Sequence, residues 1–224
     1  MTDSASVSTT LPLEVRHLGV LDYTTTWTQM RSFTDGRDES SADQLWLVQH
    51  PAVFTLGQAG LMEHVMQPGD IPIVESDRGG QVTYHGPGQL VAYTMFDLRR
   101  LGCGIRQLVS GLEESVISVL EYYELVGERL QGAPGVYVGG AKVSALGLRV
   151  RKGCSYHGLS LNVDMDLEPF SRINPCGHPG LAVTQLSALN RNASMSDVTA
   201  LVADAVAEEF GFELARAIEQ KSAI

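Results

Sequence analysis

Arg78-Gly79-Gly80-Gln81-Val82-Thr83-Tyr84-His85-Gly86-Pro87-Gly88-Gln89 holds four glycines, a proline, a histidine and a tyrosine within twelve residues. Glycine has no Cβ, so it adopts positive φ and lets a backbone pass close to a bound group. This composition suits the floor of a site whose main-chain N–H groups face a ligand carbonyl. Pro87 stiffens the turn. The apolar run from Leu90 to Leu98 reads as a buried strand, which sets the glycine loop at a strand edge rather than in a tail. On these residues alone a second reading stands beside the first, a β-hairpin with a glycine-rich turn and no site.

Upstream, Trp46 to Gly57 reads as a buried strand broken at His50-Pro51 and then resumed. His50 is read as a hydrogen-bonded structural histidine that could also line a site. Leu13 to Val20 is a further strand. Asp22 can cap a helix whose buried face carries Tyr23, Trp27, Met30 and Phe33. The segment from Gly60 to Asp70 has no period and is expected to be a surface loop over the pocket.

Downstream, Ile105, Leu108, Leu112, Val116, Leu120 and Tyr123 recur at steps of three and four, the period of an amphipathic helix used for packing. Cys103, between Gly102 and Gly104, is read as inert. Gly135 to Val163 then reads as two strands joined through Arg151-Lys152-Gly153. Strict alternation puts Lys142 in phase with Ser144, Leu146, Leu148 and Val150, with Arg149 and Arg151 on the opposite, outward phase. A lysine held against apolar groups has its charged form disfavoured, which makes the neutral amine available as a base. A lysine snorkelling to water, or a bulge at Gly139-Gly140 that breaks the count, is the competing reading. On the returning strand His157 falls in phase with Leu159, Leu161 and Val163 and is read as an inward, satisfied core histidine.

Cys176 occupies the tight loop Arg172-Ile173-Asn174-Pro175-Cys176-Gly177-His178-Pro179-Gly180, with no apolar neighbour nearer than Ile173, so its thiol is expected to be accessible. A thiol on a rigid turn beside glycine suits a nucleophile that must reach an acyl carbon. His178 invites a Cys-His pairing, although side chains two apart in an extended turn do not meet easily. Beyond the loop, Ser194 and Asp197 form a capping box for a helix through Phe210 that ends at Gly211.

The 224 residues are enough for one substantial core and few for two, so a single domain over residues 11–224 is expected, with the Ser/Thr-rich residues 1–10 disordered. A formal charge of −10 argues against general nucleic-acid binding. No apolar run approaches the ~20 residues of a membrane span, and the start of the chain lacks a basic end and an apolar stretch, so a cytoplasmic protein is expected. Three widely spaced cysteines form neither a disulfide framework nor a metal pair.

Taken together, the glycine stretch, Gly135-Val136-Tyr137-Val138-Gly139-Gly140-Ala141-Lys142-Val143, Gly153-Cys154-Ser155-Tyr156-His157-Gly158-Leu159-Ser160-Leu161-Asn162 and Arg172 to Gly177 resemble the octanoyl-[acyl-carrier-protein]:protein octanoyltransferases, or lipoyl(octanoyl) transferases. The resemblance runs from Trp46 to Gly177. It implies an α+β fold like the biotin and lipoate protein ligases, with a mixed, mostly antiparallel sheet and flanking helices. It implies Cys176 as nucleophile and Lys142 as its acid/base partner. It places the acyl site on Arg78, Gly79, Gly80, Gln81, Val82, Thr83, Tyr84 and His85, on Ala145, Leu146 and Gly147, and on Gly158, Leu159 and Ser160, with His50 and His157 in support. The implied reaction is the first step of protein lipoylation. It moves an octanoyl group from acyl carrier protein to a lysine of the lipoyl domains of 2-oxoacid dehydrogenases or of the glycine cleavage H protein, without cofactor or metal, in a monomer. Arg149, Arg151 and Lys152 are the expected docking patch for acidic partners. An ATP-dependent ligase, a cysteine hydrolase using His85, His157 or His178, and a non-catalytic lipoyl-domain binder are the alternatives.

Overall fold

The computed structural model describes residues 10–215, with the side chain of Cys176 excepted. The expectation of disorder at the N-terminus therefore falls, apart from Thr10, outside the described residues. Strand β1 (Leu11–Val20) leads into helix α1 (Tyr23–Gly36), which opens where the Asp22 carboxylate accepts from Thr25 N–H at 2.8 Å. Strands β2 (Asp43–Gln49) and β3 (Val53–Leu56) flank His50-Pro51; β4 (Ile73–Glu75), β5 (Val82–His85) and β6 (Gln89–Met95) follow. Helix α2 (Ile105–Tyr122) precedes β7 (Glu128–Leu130), β8 (Ala133–Val138), β9 (Ala141–Arg151) and β10 (Cys154–Asn162). The chain then runs through the single turn α3 (Leu186–Leu189) to α4 (Met195–Phe210) and β11 (Phe212–Ala215). Ser194 accepts from Asp197 N–H, and Gly211, at φ +67°, ends α4 as the capping pattern predicts.

Eight strands form one sheet in the order β11-β1-β2-β6-β10-β9-β8-β7, parallel only at β11–β1 and β1–β2. It is the mixed, mostly antiparallel sheet expected. A second sheet, β4-β3-β5, begins where Pro51, which cannot donate to a ladder, interrupts the run from Trp46 to Gly57. The two halves of that run thus belong to different sheets.

Both faces of the large sheet are covered, so its central strands are apolar at successive positions rather than alternating. Leu45, Leu47, Leu90, Ala92, Leu159 and Leu161 point to one face, where the buried stripe of α2 (Leu108, Leu112, Val116, Leu120) and Val198, Val202 and Val206 of α4 cover them. Trp46, Val48, Val91, Tyr93 and Tyr156 point to the other, against Met30 of α1. A third cluster, with Phe54, Tyr84, Phe170 and Ile173, fixes the small sheet beside that second face.

Two orientations depart from simple alternation. At the start of β9, Val136 pairs with Ser144 but Tyr137 pairs with Lys142, leaving Val143 as the extra residue of a bulge. Val143 rather than Lys142 therefore joins Leu146, Leu148 and Val150 in the first core. Gly139 and Gly140, where a bulge was considered, instead supply the positive φ angles of the β8–β9 turn, +56° and +80°. On β10, His157 adopts φ +60°, so its ring leaves the phase of Leu159, Leu161 and Val163 and stacks on Tyr156 on the second face.

Candidate active site

The glycine stretch lies across the second face of β9 and β10 and leaves a narrow cavity of about 50 Å³ between them. Arg78, Gly80, Gln81, Val82, Thr83 and His85 form one wall; Ala145, Leu146, Gly147, His157, Gly158, Leu159 and Ser160 form the other. Glycine is needed where the strands run closest. A Cβ on Gly158 would lie 2.0 Å from the Ala92 carbonyl oxygen, and one on Gly147 would lie 3.0 Å from that of Gly79. Of the fourteen residues assigned to the acyl site by resemblance, the structure gathers twelve around this cavity. Gly79 lines an adjoining groove with Ile105, Pro134 and His178, and Tyr84 turns its ring to Phe54 and Phe170 in the third cluster. Tyr23, Val91 and Tyr93 also line it. Sequence reading assigned these three to packing, because apolar periodicity does not distinguish a core wall from a pocket wall.

Arg78 folds the glycine loop onto itself. Its buried guanidinium donates to Thr55 Oγ1 at 3.0 Å, to the Thr55 carbonyl at 2.6 Å and to the Gly79 and Gln81 carbonyls at 2.9 and 2.7 Å. The fork geometry of arginine lets one side chain hold three backbone oxygens. His85, at the end of β5, donates from Nδ1 to Gln89 Oε1 at 2.7 Å, since the Gln89 amide nitrogen is itself donating to the Tyr84 carbonyl and to Asn162 Oδ1. Burial, then the charges of His50 and Arg78, pushes the His85 imidazole down to about 3. His50 donates from Nδ1 to the Leu21 carbonyl at 2.7 Å and accepts at Nε2 from Tyr93 Oη at 2.7 Å, and burial lowers its pKa as well. It is the hydrogen-bonded histidine expected, one ring away from the cavity.

His157 is not a satisfied core histidine. Its Nε2 donates to Asp77 Oδ1 at 2.9 Å, while its buried Nδ1 has no hydrogen-bond partner. Burial lowers the His157 pKa against the pull of Asp77. Burial also opposes the charge on Asp77, but hydrogen bonds from His157, Tyr156 and Trp27 outweigh it and hold that carboxyl well below the usual range. The pair is therefore a neutral imidazole on a carboxylate rather than an ion pair.

A smaller crevice continues from the cavity, with which it shares Thr83, Ala145 and Ser160, and it ends at Lys142, Ser144, Asn162 and Pro175. Lys142 is 4% exposed, so it does not snorkel to water. Its surroundings are nevertheless more polar than the apolar set that alternation assigns it. Nζ donates to the Pro134 carbonyl at 3.0 Å and lies 5.1 Å above the Tyr137 ring. Its backbone is pinned by Lys142 N–H to the Ala182 carbonyl at 2.8 Å and by its own carbonyl to Thr184 N–H at 2.9 Å. The segment just beyond the cysteine loop thus fastens to the lysine strand.

Cys176 lies in the 3-10 turn Pro175–Gly177, closed by Gly177 N–H to the Asn174 carbonyl at 2.9 Å. The accessibility expected of its thiol and the Cys-His pairing considered with His178 fall on a side chain outside the described residues. The loop from Gly60 to Asp70, which contains one turn at Met62–His64, is tied to this region. Asn174 N–H donates to the His64 carbonyl and Met66 N–H to that of Arg172. Cys103 and Cys154 have thiols raised by burial, as inert cysteines do. Among the described residues, no three His, Cys, Asp or Glu side chains group as a metal site, and no helix is long and apolar enough to cross a membrane. The expected basic patch is largely engaged: Arg151 and Lys152 pair with Asp35 at 2.7 and 3.7 Å, and Arg149 donates to Gln58.

The sheet, its one-sided cavity and the glycine floor define the fold class of the lipoate and biotin protein ligases. The chain is 15% identical to a bipartite lipoate protein ligase of Thermoplasma acidophilum, described together with its E2 lipoyl domain, at a TM-score of 0.77 over 95% of this chain and 88% of that one. It is 13% identical to the biotin protein ligase of Aquifex aeolicus, at a TM-score of 0.52 over 89% and 68%. The sequence model of the lipoyl protein ligase A/B catalytic domain matches residues 22–207. The octanoyltransferase of Xanthomonas campestris pv. campestris (strain B100) is 56% identical over 204 residues, 91% of this chain and 88% of that one. The chain belongs to the lipoyl protein ligase A/B catalytic-domain family.

Proposed function

We propose that this member is an octanoyltransferase of protein lipoylation, which moves an octanoyl group from acyl carrier protein to a lysine of a lipoyl domain through an acyl-Cys176 thioester. One observation carries the reading: the cavity between the glycine stretch and β9–β10 narrows into the crevice bounded by Lys142 and Pro175, next to Cys176. Identity of 56% to an octanoyltransferase supports the class of acyl group. The ligase described with its E2 lipoyl domain supports the class of acceptor.

In this reading Lys142 takes the Cys176 proton, and the thiolate adds to the thioester carbonyl of octanoyl carrier protein. Collapse of the tetrahedral adduct expels the carrier thiolate, which takes the proton back from Lys142, and leaves acyl-Cys176. The amine of the acceptor lysine then attacks. Its proton passes through Lys142 to the departing Cys176 sulfur as the amide forms. Thioester exchange is close to thermoneutral and amide formation is downhill, so no nucleotide is consumed. The acceptors are the lipoyl domains of 2-oxoacid dehydrogenases and the glycine cleavage H protein, and the enzyme works in the cytoplasm as a monomer.

Intact-mass analysis after mixing with octanoyl carrier protein tests the reading. The expected result is an octanoyl adduct that maps to Cys176, disappears on addition of lipoyl domain and needs no ATP. An absolute requirement for ATP with free octanoate would make the protein a ligase. Release of free octanoate in place of transfer would make it a hydrolase.

A further inference from the structure

We infer that Ser144 is the hydroxyl donor to the acyl carbonyl oxygen during thioester exchange, an inference that rests on the reading above. Buried serines normally return their hydroxyl to a backbone carbonyl. Ser115 donates to Gly111 at 2.9 Å and Ser155 to Thr94 at 2.7 Å. Ser144 does neither. It is 1% exposed, and its Oγ has no hydrogen-bond partner. Folding leaves that group unsatisfied at a cost in stability, which calls for a specific explanation.

Its position supplies one. Ser144 stands two residues from Lys142 on β9, and both line the crevice to which Pro175 also contributes. The same crevice shares Thr83, Ala145 and Ser160 with the cavity assigned to the acyl chain. An acyl group on Cys176 whose tail fills that cavity must pass its carbonyl between the cysteine turn and these shared residues. Ser144 is flanked in the sheet by Leu161 of β10 and Val136 of β8, and at 1% exposure its hydroxyl cannot turn to bulk water. When the Cys176 thiolate adds to the thioester carbon, the carbonyl π pair moves onto oxygen. A preformed donor there is worth more in the addition step than in the ground state, because charge develops on that oxygen. The Ser144 O–H keeps its proton throughout. Lys142 carries the proton between the Cys176 and carrier sulfurs.

A structural serine and a catalytic one respond oppositely to loss of the hydroxyl. Ser144→Ala removes an unsatisfied group, so the full-length variant is expected to melt at or above the wild-type temperature. Its single-turnover acylation by octanoyl carrier protein is expected to slow on the order of a hundredfold, with the carrier KM and the rate of Cys176 alkylation by iodoacetamide unchanged. Ser144→Cys keeps the size, offers only a weak donor and is expected to be comparably slow. It carries the test should the alanine variant misfold. Wild-type acylation speed in either variant overturns the inference, as does a lowered melting temperature in Ser144→Ala, which would reveal a structural partner. If wild type itself forms no acyl adduct, the reading of the reaction fails instead, so the two failures are distinguishable.

Discussion

The two faces of the large sheet are built from the same strands and differ in almost everything else. The face under α2 and α4 is filled with Leu, Val, Ala and Phe and follows strict helix and strand periods. The opposite face carries Tyr23, His50, Asp77, Arg78, His85, Tyr93, Lys142 and His157, with a cavity between them. The bulge at Val143 and the positive φ of His157 both serve this second face, and so do the tight approaches at Gly147 and Gly158. The difference shows how one domain can keep stability and chemistry apart. Regular packing on one side supplies the surplus that irregular backbone and buried polar groups on the other side consume.

Four measurements test that division. The largest effect is expected on the second face: Lys142→Arg keeps a positive charge but removes a group that can release a proton, so octanoyl transfer falls ~10²–10⁴-fold. Alkylation of Cys176 by iodoacetamide persists in that variant, which shows that the larger guanidinium has not displaced the loop. Transfer at the wild-type rate would remove Lys142 from its assigned role. On the first face, Leu112→Ala opens a cavity under α2 and lowers unfolding stability by ~2–5 kcal/mol in denaturant titration, while transfer per folded molecule stays unchanged. A specific loss of transfer there would mean the faces are coupled.

The third measurement concerns acid. Neutral His85, with a folded pKa of about 3 against 6.5 unfolded, contributes stability that is fully present above pH 6.5 and is lost as the pH falls towards 3. His50 and His157, also depressed, act in the same direction over this range, whereas the depressed Asp77 carboxyl adds its loss only below about pH 4. Unfolding stability should therefore fall from pH 7 to pH 5, and in His85→Gln the drop should shrink by about 2 kcal/mol. An unchanged drop would mean that His85 is not held neutral. The smallest effect is expected at Cys103, half-buried at the edge of the first core. Cys103→Ser should shift stability by less than ~0.5 kcal/mol and leave transfer within twofold in a steady-state assay. A larger loss would assign that thiol a role.

Elements whose signal is local were legible in the amino-acid sequence. Asp22 and Ser194 cap α1 and α4, the three-and-four spacing from Leu108 to Leu120 makes α2, and Lys152-Gly153 closes the β9–β10 hairpin with two positive φ angles of +52° and +78°. The sequence also marked the glycine stretch and the cysteine turn, because glycine density and a thiol between proline and glycine are unusual wherever they occur; joining them with the lysine strand into one site is what the family resemblance implied. Which way Lys142 and His157 face depends instead on strand pairing and backbone conformation. Alternation holds while each residue pairs once, and one bulged valine or one left-handed histidine resets it without a mark in composition. The packing of Tyr23 and Tyr93 around His50, His85 and His157, three histidines that the family resemblance placed at the site, was not legible either, since the five residues come from separate segments of the chain. Their shared burial comes from sheet order. Strands β2, β6 and β10 become neighbours across loops of very different length, and that adjacency is set by the packing of whole faces rather than by any local run of residues.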